Sequence, residues 1–426
     1  MTASSVPRRR RTVAANSRAK PRSRGSRWLS AKTTPIASSS VRLPRRTASS
    51  RCWAAERADI LEGSVPGAPH EHKRGLTGPG PKPDNRLTMD LRAHIAEFDR
   101  GRVRTRDGRY VESEAVAPDA IAPGTRGVVT MRNLGQNGRM ANQLLQWTFL
   151  NFYAWRHDLR LEAPDFPAAA LINAKLDPVA ANLRTLRYAP FEDEAALALW
   201  DLPEPLADID FDGYFQEVPA CWMRHRALFR RLLRFRDEAA ADRWRTSIAG
   251  PVIAIHVRRG DLADPVHAGT PQFAMVPLDW YVAWVEAALT GTPGARLYIA
   301  TDSPEAVRPA FARFDPLPPA DFAADARIGD LLALARADAL AFGNSSFGRV
   351  AGMLADEAQC QAAADFRVGA LTPCAAWTEQ GFWRRFGPAP APVDPVARLA
   401  AAPAPKAPNW RKRLKIALRR ALSGNA

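Results

Sequence analysis

The chain has 426 residues and a formal net charge of +16, and 46% of its residues are hydrophobic while 24% are charged. This composition can build a sizeable core and excludes a chain that is disordered throughout, and its length predicts two or three domains. The four cysteines are irregularly spaced, which fits neither a disulfide framework nor a zinc site, and no apolar run is long enough to span a membrane.

The positive charge is concentrated at the two ends of the chain. Residues 1–88 contain 19 Lys and Arg against 5 Asp and Glu, a net charge of +14, and the residues from Lys406 onward contain 7 basic and no acidic ones. Residues 89–405 contain 34 basic and 39 acidic residues, a net charge of −5. Because a nucleic-acid-binding domain places its basic residues on folded elements, we do not expect nucleic acid as a partner of the central region.

The N-terminal segment, residues 1–88, is rich in Ser, Arg and Pro and is predicted to be disordered. One interpretation is an arm that binds nucleic acid or an anionic membrane. Another is a leader without function, upstream of a true start at Met89. A transit peptide is a third, although the segment has no clear apolar face. The sequence does not define the structure of the extension that follows, residues 89–125.

From residue 126 to 386, short apolar runs alternate with helical patterns. The predicted elements, in chain order, are a strand at 127–131, a helix at 140–155, a short strand or strand end at 211–215, a helical stretch at 220–244, a strand at 252–257, a helix at 279–289, a strand at 296–301, helices at 303–311 and 328–337, a strand at 339–342 and a helix at 346–354. This alternation predicts an α/β protein with parallel sheets. We divide it into lobes at 126–248 and 249–386.

Polar residues follow the predicted strands of the second lobe, where ligands of open α/β sheets bind. In His256-Val-Arg-Arg-Gly-Asp261, His256 and Arg258 share one face, and a guanidinium can fork onto two phosphate oxygens. The alternative is an Arg–Asp pair that closes the strand above a core histidine. Asp302 can accept hydrogen bonds from a base or cap the next helix.

Two further segments suit an anion. In Phe342-Gly-Asn-Ser-Ser-Phe-Gly348, a strand enters a helix through small polar residues, which either bind an anion at the helix N-terminus or only cap the helix. In the first lobe, Gly135 to Leu145 follows a strand and opens a helix, so Arg139 and Asn142 can face the same anion. Asp208-Ile-Asp210 spells the D-x-D of metal-dependent transferases, but its loop context favours a solvated turn.

These segments together resemble α-1,2-fucosyltransferases (glycosyltransferase family eleven), within the wider fucosyltransferase superfamily. The family pattern G-R-L-G-N-Q-L-F-Q is similar to Gly138–Gln146, and L-x-G-Y-F-Q to Phe211–Gln216. The hallmark H-x-R-R-G-D matches His256–Asp261. The patterns T/S-D-D and N-S-S-F-S are similar to Thr301–Ser303 and Asn344–Gly348, and order and spacing agree over about 127–385.

The resemblance implies a two-lobed GT-B fold that holds GDP-fucose in the cleft and transfers fucose with inversion, without an obligatory metal. It implies that the catalytic Arg258 holds the β-phosphate, that His256 lines this pocket, and that Asp302 reads guanine. The other residues that it assigns to the donor are Arg139, Asn142, Ser345, Ser346 and Phe347. The chain departs from the pattern at Ala141, Ser303 and Gly348, which puts local geometry and the identity of the sugar in question.

The resemblance thus predicts a galactoside α-1,2-fucosyltransferase of surface polysaccharide biosynthesis, with GDP-fucose and a glycan acceptor as partners and no cofactor. The alternatives are a transferase for another nucleotide sugar and a non-catalytic, basic-tailed binding protein. Residues 387–426 are predicted to form an extended Pro/Ala-rich link and a basic amphipathic tail. The tail, residues 410–422, suits peripheral contact with an anionic membrane, so a cytoplasmic enzyme at the inner membrane is expected; a solvated helix is the other interpretation.

Overall fold

The computed structural model describes residues 90–402, apart from residues 173, 180, 181, 191, 265–269 and 388–393. The predictions for residues 1–88 and for the tail at 410–422 lie outside the described residues. Within the described part, no helix combines the length and the apolar character needed to cross a membrane.

The elements of the first half of the described chain are α1 (Leu91–Asp99), β1 (Arg102–Arg104), β2 (Tyr110–Glu112), β3 (Val128–Thr130), α2 (Met140–His157), β4 (Arg160–Glu162), α3 (Ala169–Ile172), β5 (Arg184–Arg187), β6 (Ile209–Asp212), α4 (Arg226–Leu232) and α5 (Glu238–Ser247). They include a small hairpin, β1-β2, and a parallel four-stranded sheet in the order β4-β3-β6-β5. Helix α2 supplies much of the core, because Phe149, Phe152 and Tyr153 are buried on it and pack against Phe211 and Trp222.

The elements of the second half are β7 (Val252–Val257), α6 (Leu278–Gly291), β8 (Arg296–Thr301), α7 (Pro304–Phe311), α8 (Ala326–Arg336), β9 (Ala339–Phe342), α9 (Ser346–Leu354), β10 (Cys360–Asp365), β11 (Ala370–Pro373) and α10 (Pro395–Ala401). Its strands form a five-stranded sheet in the order β11-β10-β9-β7-β8, in which only β11 runs antiparallel to its neighbour.

Strand β7 fixes where the polar motifs of the second sheet meet. All six of its residues are buried, as expected of a strand covered on both faces. His256 lies opposite Ala300 of β8 and Phe342 of β9. Because these three strands are parallel, the residues that follow these positions emerge at the same end of the sheet, where the strands have their C-termini.

The expectation of an α/β protein built on two sheets of mainly parallel strands is confirmed. Two expectations about elements were wrong. The helical stretch predicted at 220–244 is interrupted, because α4 ends at Leu232 and α5 begins only at Glu238. The link predicted as extended contains α10, which packs against the edge strand β5 of the first sheet. The division into domains stays a prediction.

Candidate active site

Arg258 is the first residue after β7 and forms a two-pronged ion pair with Asp261. Its Nε lies 3.1 Å from Asp261 Oδ1 and its Nη2 lies 2.7 Å from Oδ2. The Arg258 side chain is 22% exposed, so it is neither turned into the core nor fully solvated. Burial opposes ionisation of Asp261, but the hydrogen bond and charge of Arg258, with the charge of Arg139, hold the pKa of this carboxyl below its usual value.

Arg139 brings a second guanidinium to the same carboxylate from the first half of the molecule. It precedes α2, and its Nη2 lies 3.5 Å from Asp261 Oδ2, while its Nη1 lies 3.8 Å from Asp302 Oδ2. The Arg139 side chain is 68% exposed. Two arginines from different sheets therefore converge at a solvent-accessible junction, which is an arrangement that can hold a diphosphate.

Asp302 orders the loop that carries Arg258. Its Oδ1 accepts hydrogen bonds from the backbone N–H groups of Arg259, at 2.8 Å, and Gly260, at 3.1 Å. A Cβ at position 260 would lie 2.5 Å from Asp302 Oδ2, so only glycine allows this close approach. The sequence pattern did not signal this role, because it depends on the pairing of β7 with β8.

His256 lies beneath this loop and is buried, with its ring centroid 4.9 Å from that of Phe347. Burial lowers the pKa of His256 to about 4; the charge of Arg258 acts in the same direction and that of Asp302 opposes it. The imidazole is therefore neutral at physiological pH. Its Nδ1 is buried and has no hydrogen-bond partner among the described residues.

The N-terminus of α9 lies at the same end of the sheet, just beyond the C-terminus of β9. Ser345 is buried and caps the helix, since its hydroxyl oxygen accepts a hydrogen bond of 3.3 Å from the backbone N–H of Phe347. Asn344 donates from Nδ2 to the carbonyl oxygen of Ala274, at 2.7 Å, and so ties this turn to the segment before α6. Ser346 and Phe347 are half-buried. Capping is thus present, and the N-terminal N–H groups of a nine-residue helix suit an anion.

Asn142 makes its hydrogen bond within the first half. Its Oδ1 accepts from Gln216 Nε2 at 3.1 Å, and its side chain closes over Gly138, where an added Cβ would lie 2.0 Å from Asn142 Nδ2. Gly138 has a φ of +76°, a conformation that favours glycine. Among the predicted site residues, direct contacts join Arg139 to Asp302 and His256 to Phe347; Asn142 supports the turn beside Arg139.

The D-x-D sequence, Asp208-Ile-Asp210, has a structural role that differs both from a metal site and from a solvated turn. Asp210 is buried, and its carboxylate accepts hydrogen bonds from the backbone and Nε of Arg132, each at 2.9 Å, and from Thr185 Oγ1 at 2.8 Å. Asp208 accepts from the backbone N–H of Val128 at 3.0 Å. The solvated turn expected there was wrong for Asp210, which fastens neighbouring strands together. No group of three or more metal-ligand side chains occurs in the described part of the chain.

Packing explains one departure from the family pattern. A Cβ at Gly348 would lie 2.5 Å from Phe342 Cβ, so the serine of the N-S-S-F-S pattern does not fit between α9 and β9. Ala141 is buried at the start of α2. At Ser303, the backbone N–H donates to Thr301 Oγ1 at 3.2 Å.

The fold and the site define an α/β protein in which two mainly parallel sheets present arginines to a shared carboxylate. No protein-family model matches the chain, and no curated protein matches it either. Among solved structures, the chain is similar to the NodZ alpha-1,6-fucosyltransferase soaked with GDP-fucose, with 16% identity and a TM-score of 0.39, covering 59% of this chain and 99% of that one.

Two other solved structures give similar values. The selenomethionine form of fucosyltransferase NodZ from Bradyrhizobium has 18% identity and a TM-score of 0.38, covering 59% of this chain and 99% of that one. POFUT1 in complex with GDP has 15% identity and a TM-score of 0.35, covering 57% and 99%. At these TM-scores, the function of this chain has to be argued from its own residues.

Proposed function

We propose that the protein is an inverting glycosyltransferase that transfers L-fucose from GDP-fucose to a glycan hydroxyl. The observation that carries the proposal is the placement of Arg258. It follows a buried strand, it is partly exposed, and it shares Asp261 with Arg139 of the opposite half. The ordered set of motifs that resembles fucosyltransferases supports the same reaction.

The chemistry requires stabilisation of the leaving group. As the bond between fucose and phosphate breaks, the GDP diphosphate gains negative charge, and fixed cations and N–H donors lower the energy of that state. Arg258 stays charged and is held in orientation by Asp261. Arg139 approaches from the other half, and the N-terminus of α9 offers backbone N–H groups.

Each of the residues around Arg258 has its own role in the proposed reaction. Asp302 fixes the backbone of the arginine loop through Oδ1, and its Oδ2 lies beside Arg139; this Oδ2 is the atom that we assign to the guanine base. The rings of His256 and Phe347 lie against each other, and we assign them to an uncharged wall of the donor site. Asp261 is paired with Arg258, so it is a poor candidate for the base that deprotonates the acceptor, and we assign no residue to that step.

The finer assignment is a galactoside α-1,2-fucosyltransferase of surface polysaccharide biosynthesis. It is supported by the sequence resemblance over residues 127–385. We further propose that the enzyme acts in the cytoplasm and that residues 410–422 bring it to the anionic inner membrane. A basic segment with apolar residues near helical spacing supports this location.

The test replaces Arg258 by Ala in the full chain. We expect kcat/KM for transfer from GDP-fucose to fall on the order of 10²–10³-fold, the usual cost of one lost donor to a developing anion. The matched control is Arg296→Ala. Arg296 is the first residue of β8, at the end of the sheet away from the candidate site, and it is 44% exposed. Its loss should therefore leave transfer unchanged.

The readout is mass spectrometry of the product, with a panel of nucleotide sugars and glycan acceptors and with thermal unfolding as a check on folding. An unchanged kcat/KM in folded Arg258→Ala would remove Arg258 from the mechanism. Turnover of a different nucleotide sugar by the wild-type chain, with none of GDP-fucose, would replace the donor assignment.

A further inference from the structure

Arg349 is a fully buried arginine that joins the two halves of the molecule. It lies on α9, one turn after Ser346, and its side chain has no exposed surface. Its Nη1 donates to the carbonyl oxygen of Gln216 at 2.9 Å, and its Nη2 lies 3.5 Å from Glu217 Oε2. Gln216 and Glu217 follow β6 of the first sheet, whereas α9 follows β9 of the second.

Each nitrogen of the buried Arg349 guanidinium has an acceptor nearby. Arg349 Nε approaches the carbonyl oxygen of Ala376, and Nη2 approaches that of Glu379, each at 3.4 Å. The guanidinium lies 4.4 Å from the ring centroid of Phe382, a cation–π contact. Well-packed apolar residues often replace a buried ion pair without loss of stability. The presence of the Arg349–Glu217 pair is therefore better explained by a role in fixing geometry than by a contribution to stability.

A continuous set of contacts leads from Arg349 to both sides of the candidate active site. On one side, α9 begins at the capped turn that contains Ser345 and Phe347. On the other, Gln216 donates from Nε2 to Asn142 Oδ1 at 3.1 Å, and Asn142 lies three residues after Arg139 on the first turn of α2. Gln216 is therefore held by Arg349 through its backbone and by Asn142 through its side chain.

We infer that Arg349 is a positioning residue that sets the spacing between the two halves of the donor site. Its fork holds the loop after β6, and that loop holds the start of α2, from which Arg139 extends toward Asp261. The inference rests on the proposed function, since the spacing matters only if one diphosphate is gripped by Arg139 and Arg258 together. Arg349 itself touches no reacting atom.

The test uses Arg349→Lys in the full chain, which keeps the charge but removes the planar fork. The matched control is Arg385→Lys. Arg385 is also buried and makes its hydrogen bonds to Thr372, Pro373 and Glu379, all within the second half. Pulsed electron spin resonance measures the distance between spin labels on Cys introduced at the exposed Ala170 and Ala306, one in each half, with the native cysteines replaced.

We expect Arg349→Lys to broaden the distance distribution between the halves and to lower kcat/KM on the order of 10²-fold, the usual cost of a misplaced group. The binding of GDP, measured by calorimetry, should weaken as well. Arg385→Lys should keep the wild-type distances and the wild-type GDP affinity.

A distance distribution and GDP affinity in Arg349→Lys that match those of Arg385→Lys would overturn the inference. If Arg349→Lys does not fold, Glu217→Gln, which removes the carboxylate from the same pair, decides by the same readouts. A further outcome separates the two proposals. If the wild-type protein does not turn over GDP-fucose, but the spin-label distances change in Arg349→Lys and not in Arg385→Lys, the proposed function is refuted and the positioning role stands.

Discussion

Burial acts in opposite directions on the acids and bases of this molecule. Burial raises the pKa of Asp193 to about 7, and the neighbouring Glu217 adds to this, while the backbone N–H of Gln216 and the charge of Arg349 oppose it. Burial lowers the pKa of His225 and of His256 to about 4. In each case the neutral form is the one that the folded protein favours.

The pH dependence of Asp193 follows from this shift. Between the usual carboxyl pKa of about 4 and the folded value of about 7, the folded protein keeps a proton that the unfolded chain has lost, so this group costs stability as the pH rises. Asp193→Asn cannot ionise and retains an acceptor for the Gln216 N–H. We expect its free energy of unfolding, relative to wild type, to increase by on the order of 2–3 kcal/mol from pH 5 to pH 8.

Urea unfolding at several pH values checks this expectation. Asp315→Asn is the control, because the Asp315 side chain is 97% exposed. If Asp193→Asn and wild type lose or gain stability in parallel across this range, Asp193 is not the buried neutral acid described above.

At the same scale, the sequence predicted where the charged residues of the site lie and offered an Arg–Asp pair as one alternative, but it did not predict that Arg139 contacts the same carboxylate. The H-x-R-R-G-D motif placed Arg258 and Asp261 at a strand end, and they form a pair there. Arg349 was not predicted, because an arginine in an apolar helix gives no signal until the loop after β6 is folded against it. The fit of Gly348 against Phe342 likewise depends on packing between α9 and β9.

Among the elements, α10 shows how a segment near the end of the described chain completes the first sheet. Arg398 is ion-paired with Glu192 at 2.6 Å and lies 4.6 Å from the ring centroid of Tyr188. From β5, Arg184 Nη2 donates to the carbonyl oxygens of Leu399, at 2.6 Å, and Ala402, at 3.1 Å, at the C-terminus of the helix. These contacts cover one edge of the sheet.

We predict that Arg398→Ala lowers the free energy of unfolding by about 1–2 kcal/mol, because it removes a half-buried ion pair and a cation–π contact together. The control is Arg327→Ala, since Arg327 is 68% exposed and pairs with Asp325 only two residues away; its effect should be near zero. Equal unfolding midpoints for the two variants in urea would show that α10 adds nothing to the stability of the first half.

Elements with a clear hydrophobic pattern could be predicted from the sequence, and those without one could not. Strands β7, β8 and β9 were predicted with their observed ends, because each contains four consecutive apolar residues. Strands β4 and β5 lie at the edges of the first sheet and carry charged residues, so they gave no such run. Helix α10 was missed because its proline suggested a break, although Pro395 occupies the first turn after the cap Asp394, where proline is tolerated.

For the molecule as a whole, the residues that we assign to the candidate site lie between Arg139 and Phe347. Helix α1 already belongs to the body, since Phe98 is buried and Asp99 pairs with Arg156 at 2.8 Å. We therefore predict that a chain of residues 89–426 retains at least half of the full-length kcat/KM with GDP-fucose, a change below about 0.5 kcal/mol.

Turnover of the two chains, measured side by side with Arg258→Ala as the inactive reference, checks this prediction. Loss of all activity on removal of residues 1–88 would contradict it and would favour the alternative in which the basic N-terminal segment carries the function.

The contact between α10 and β5 also has a consequence for biosynthesis. Glu192 and Arg398 are 206 residues apart in the chain, so the ribosome makes the edge of the first sheet long before the helix that covers it. During that interval the nascent first half presents a bare strand edge, the kind of surface to which other chains add. Late translation is therefore the stage at which we expect this strand edge to be most open to pairing with other chains.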